Sequence, residues 1–233
     1  MKIIANNTAT VSRRILPDDT LPRLRVPQQA ISAAVKNRYQ FPDTPQFISM
    51  LTPPNHVVMQ GGQFTYDNSV HDVAQLVMET IGDSVTTTST NVGDAFLDDL
   101  FAFLDSEFGF RLTSAPYKTS YASVLIVEFD VKLEEKISLL GGIATLLSET
   151  WGDAEKPFNL QRLSFGRQRE GAPTSFIAAA LMPQSQIAVV EATDFTIERR
   201  AGTLFSANRY FCAAPFTTED HIKSLERIEK LLS

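Results

Sequence analysis

The stretch Thr90 to Phe110, TNVGDAFLDDLFAFLDSEFGF, sets four Asp and one Glu among a dense run of Phe and Leu. Wound at about 100° per residue, it places Phe96, Leu97, Leu100, Phe101, Phe103, Leu104 and Phe108 in one sector. Asp94, Ala95, Asp98, Asp99, Ala102, Asp105 and Ser106 take the other. An amphipathic helix over 93–108 is predicted, with Asn91 as N-cap and Gly109 as stop. The carboxylates form its solvated face. Asp94 and Asp98, one turn apart, are close enough to share an ion, but the polar face is the simpler account. Asp105 and Glu107 stand near the C-terminus of the helix, where they oppose its dipole, so a basic partner is expected beside them.

Two further helices follow from the same periodicity. Leu133–Glu149 puts Leu133, Ile137, Leu139, Leu140, Ile143, Ala144, Leu146 and Leu147 in one sector. Gly141 and Gly142 interrupt it at about 1 kcal/mol each relative to Ala, which suggests a kink or a close backbone approach. The last helix, about 218–232, is capped at Thr217 or Thr218, carries Glu219 and Asp220 in its first turn and has Ile222, Leu225, Ile228 and Leu232 on one face.

The rest reads as strand. HVVMQGGQFTYD is read as a hairpin turning at Gly61-Gly62. Tyr121–Val131, apolar on both alternating faces at its centre, suits a central strand. Val70–Ile81 fits helix and strand equally. Beyond Asn159, LQRLSFGRQR, TSFIAAALM, FTIERR and LFSANRYFCAAPF, parted by turns at 170–173, 183–185 and 201–202, form an antiparallel meander. No internal repeat stands out, although each half ends in strands followed by a helix.

Seven of the twelve prolines fall within residues 1–54, limiting that region to short elements such as a helix at Gln28–Arg38. These residues carry seven basic and three acidic side chains, a net of +4, which leaves −10 for the remainder. The expected organisation is a basic, proline-rich arm (1–54) and an α+β body (55–233), the latter divisible into halves at about 55–115 and 116–233. The arm packs on its own acidic body or crosses to a second subunit. The fold class expected is α+β, antiparallel sheet packed against about three amphipathic helices.

An acidic body argues against nucleic-acid binding, which needs a basic surface to neutralise phosphates. The longest uninterrupted apolar run, Phe176–Met182, is far short of the roughly 20 residues of a membrane helix. One cysteine, Cys212, rules out an internal disulfide framework and, with no secretory leader evident, points to a cytoplasmic location.

Complete catalytic patterns are lacking. Gly82-Asp83-Ser84 matches the opening of a class of serine esterases, but Thr218 stands where that class needs an Asp before its His, here His221. A turn is the better account of that tripeptide. His221 is expected in the core, His56 and His71 lack ligands at metal spacing, and Cys212 reads as a buried hydrophobe. No metal and no cofactor is expected. The one suggestive cluster is cationic: Arg162, Arg167, Arg169, Arg199, Arg200 and Arg209 all lie in the C-terminal meander. Guanidinium groups on adjacent strands suit a carboxylate or phosphate. They also suit a sheet face paired to Glu198 or to acids like those of 94–107. A non-enzymatic, self-associating binding or assembly protein is the function expected. The alternative is an enzyme or sensor for a small anionic metabolite, using Arg199, Arg200 and Arg209.

Overall fold

The computed structural model describes residues 1–15, 26–42, 46–48, 56–79, 82–136, 138–151, 161–166, 194–200, 202–203 and 207–233. The fold is α+β with antiparallel sheet. Strands are β1 (Lys2–Ile15), β2 (Gln46–Ile48), β3 (His56–Tyr66), β4 (Ser69–Glu79), β5 (Gly82–Thr87), β6 (Tyr117–Glu128), β7 (Arg162–Gly166), β8 (Asp194–Arg199) and β9 (Arg209–Ala214). Helices are α1 (Gln28–Arg38), α2 (Thr90–Phe108), α3 (Leu133–Lys136), α4 (Ser138–Trp151) and α5 (Thr218–Leu232). Hydrogen bonding links the strands in the order β2-β3-β4-β5-β1-β6-β9-β8-β7. Among the described residues four helices exceed a single turn, not three: the fourth is α1, whose Ile31 and Val35 are buried against the core.

The chain forms two compact units. One comprises Asn6–Ser123 with Phe216–Thr218, the other Met1–Ala5, Val124–Pro215 and Glu219–Ser233. In the first, β2 to β5 form a continuous antiparallel ladder that β1 extends, with Val11 opposite Val85 and Arg13 opposite Asp83. Its core gathers Val11, Val35, Tyr39, Phe41, Met59, Leu76 and Val85 with Phe96, Leu97, Leu100, Phe101 and Leu104 of α2. The predicted apolar sector of that helix is therefore the buried one.

Helix α2 begins earlier than 93. Ser89, in extended geometry, is the N-cap and accepts a hydrogen bond from the Val92 N–H at 3.4 Å, so Asn91 lies inside the helix. Gly109 ends it as expected, at φ 70°, its N–H donating to the Asp105 carbonyl. Thr90 at the start of α2 and Thr218 at the start of α5 serve each other. The Thr90 N–H donates to the Thr218 hydroxyl at 3.1 Å and the Thr218 N–H to the Thr90 hydroxyl at 2.9 Å, so two otherwise orphaned helix donors are satisfied.

The hairpin expected at Gly61-Gly62 turns elsewhere. β3 runs through both glycines, and the two-residue turn is Asp67-Asn68, with φ of 48° and 58° and Tyr66 paired to Ser69. The described part of Val70–Ile81, up to Glu79, is strand, since Ser69–Glu79 is β4. The glycines have another use. A Cβ on Gly62 would lie 2.5 Å from the Phe41 ring, so that position is bare to let the ring lie against the strand. The chain leaving α1 is held there by the Gln63 N–H, which donates to the Tyr39 carbonyl at 2.8 Å.

In the second unit, β7, β8 and β9 are antiparallel, as the meander predicts, with Arg162 opposite Glu198 and Arg199 opposite Tyr210. The stretch Thr174–Met182 and the turns at 170–173 and 183–185 lie outside the described residues. Leu125, Val127, Phe129, Leu133, Ile197, Cys212 and Leu225 are buried there. Within the helix expected over 133–149 the described residues are helical over Leu133–Lys136 (α3) and Ser138–Trp151 (α4), and both glycines lie within α4. Among the described residues nothing stands within 4 Å of a Cβ built on Gly142.

Candidate functional site

The polar face of α2 is not simply wet: it is where the basic N-terminal residues dock. Arg13 projects from β1 with its side chain only 5% exposed. One guanidinium nitrogen donates to Asp98 Oδ1 at 2.6 Å; the other donates to Asp94 Oδ1 at 3.1 Å and to the Asp94 carbonyl at 3.2 Å. The guanidinium carbon also lies 4.9 Å from the Tyr117 ring centre and 5.7 Å from that of Phe101. Burial works to lower the Arg13 pKa, but the hydrogen bond and charge of Asp98, followed by the hydrogen bond to Asp94, outweigh it and the net shift is upward. The one-turn spacing that fits Asp94 and Asp98 to a shared ion thus serves a shared guanidinium, which is a permanent cation belonging to the chain itself.

A second clamp sits beside it. Arg38, from the last turn of α1, donates from Nε and one terminal nitrogen to both Asp99 oxygens at 2.8–3.1 Å, and the Tyr39 hydroxyl donates to Asp99 Oδ2 at 2.7 Å. The hydrogen bond to Asp99 raises the Arg38 pKa, while burial, then Asp99, pushes the Tyr39 phenol far above its usual range. Tyr39 also packs 4.6 Å from the Phe96 ring, joining the clamp to the core. Asp94, Asp98 and Asp99 are therefore committed to fixing β1 and α1 on α2.

Asp105 does not find the basic partner expected of it. It accepts hydrogen bonds from the Leu112 and Thr113 N–H groups and from the Thr113 hydroxyl at 2.5–2.9 Å, capping the 3-10 turn Leu112–Ser114. Replacing Asp105 with Ala is expected to cost about 1 kcal/mol, since the part-buried Leu112 N–H loses its acceptor, read as a shift in the urea midpoint at unchanged slope.

Three of the described arginines of the C-terminal meander have side-chain partners in their own unit. Arg162 lies 3.9 Å from Glu198, and Arg209 Nε donates to Glu128 at 3.0 Å. Arg199 is 8% exposed, donates to the Tyr210 hydroxyl at 3.0 Å and lies over that ring. Arg200 follows on the other side, its N–H donating to the Arg209 carbonyl. Arg167 and Arg169 lie outside the described residues.

The isolated chemical candidates have structural surroundings. Ser84 is 7% exposed on β5, opposite Ser12, whose hydroxyl donates to it at 3.0 Å; the Gly-Asp-Ser tripeptide is strand, not turn. His221 is fully buried in α5, edge-on to Phe195 at 5.7 Å. His71 lies beside Tyr66, and among the described residues no group of three or more His, Cys, Asp or Glu is placed to hold a metal. Burial pushes the Cys212 thiol up to about 12. Because the folded value lies above the unfolded one, its stabilising contribution is complete below about pH 8.5 and is lost as pH climbs toward 12. Iodoacetamide at pH 8 is expected to leave Cys212 unmodified in the native protein and to alkylate it in urea; rapid native labelling would contradict this burial.

One surface feature escaped the sequence. Ile143, Leu146 and Leu147 of α4, placed above in one apolar sector, are 46%, 62% and 44% exposed. At i, i+3 and i+4 they form one apolar stripe, on a helix whose sole charged residue is Glu149. Phe165 on β7 is 60% exposed in the same unit. Among the described residues no helix is long and apolar enough to cross a membrane. No protein-family model, curated protein or solved structure matches the chain.

Proposed function

We propose that this is a non-enzymatic binding or assembly protein that associates with copies of itself, using the second unit rather than the acidic helix α2. The observation that carries this reading is the exposed stripe Ile143, Leu146 and Leu147, because a large aliphatic stripe turned to water on a helix with a single charged residue marks a contact surface. Asp94, Asp98 and Asp99 of α2 are taken by Arg13 and Arg38, so these two arginines serve their own chain. Arg162 and Arg209 are engaged by Glu198 and Glu128, which leaves the anion-sensing alternative with less support. The lone, buried thiol of Cys212 suits a reducing, cytoplasmic setting.

Size-exclusion chromatography with light scattering tests the reading. The intact protein at micromolar concentration is expected to run as an oligomer, and Leu146→Glu to shift it to a monomer that keeps the wild-type circular dichroism spectrum. A wild-type monomer across the accessible concentration range overturns it.

A further inference from the structure

We draw no further inference here: the strongest candidate, the exposed Ile143, Leu146 and Leu147 stripe of α4, belongs to the surface already proposed for self-association, and nothing in the structure shows what covers it.

Discussion

Replacing Asp94 and Asp98 together by Asn is expected to destabilise the protein by about 3 kcal/mol, at the low end of what breaking a buried ion pair costs. The direction follows from which partner is buried. The Arg13 side chain is 5% exposed, whereas those of Asp94 and Asp98 are 31% and 67% exposed. Without its carboxylates the guanidinium keeps its charge but retains only neutral partners, the new amide oxygens, the backbone carbonyl of residue 94 and two aromatic rings. Arg13→Met is the milder change, because the abandoned carboxylates regain hydration and the Met stem still fills the space against Phe101 and Tyr117. Urea unfolding followed by circular dichroism separates the two. Equal losses would mean that the pair, rather than the stranded cation, sets the cost.

The second large effect lies at Phe41. This ring is 2% exposed and rests on the bare backbone of Gly62. Phe41→Ala is expected to cost about 3–5 kcal/mol, the range for truncating a buried aromatic. Gly62→Ala, which drives a methyl to 2.5 Å from the ring, is expected to cost about 1–3 kcal/mol through overpacking. Combined, the two should not add: once the ring is gone, the methyl occupies part of the void and its own penalty disappears. Additive losses would show that Gly62 is needed for some reason other than Phe41.

These two sites also show what the sequence reveals. Helix α2 was legible because its signals are local: the 3.6-residue period of Phe and Leu, and Gly109 as stop, both act within a few residues. The glycine pair misled for the opposite reason. Gly61-Gly62 has the composition of a tight turn, yet the cause of Gly62 is a ring twenty-one positions earlier, which periodicity cannot register. Asp67-Asn68, the actual turn, carries the weaker signal because neither residue is Gly.

The arginine clamps were visible only as a charge imbalance, +4 over residues 1–54 against −10 beyond. That imbalance suggests docking, but the assignment of Arg13 to Asp94 and Asp98 requires β1 to lie beside β5 in a register that sets Arg13 opposite Asp83. Long-range strand pairing of this kind is not written in any local pattern. The same limit explains α4: a helical stripe reads identically whether a sheet covers it or water does, so the period sets Ile143, Leu146 and Leu147 in one sector without saying what that sector meets. The meander arginines likewise stand close along the chain, but their partners, Tyr210 for Arg199 and Glu128 for Arg209, follow from strand pairing and not from that spacing.

The account turns on the acids of α2 serving a cation within the chain. A double-mutant cycle between Arg13→Met and the Asp94→Asn, Asp98→Asn pair, measured by urea unfolding, tests this most directly. The triple variant is expected to be little less stable than the double Asp variant, giving a coupling energy of about 2 kcal/mol. Losses that add to within about 0.5 kcal/mol, the behaviour of independent sites, would contradict the clamp and return Asp94 and Asp98 to the list of residues free to bind a ligand.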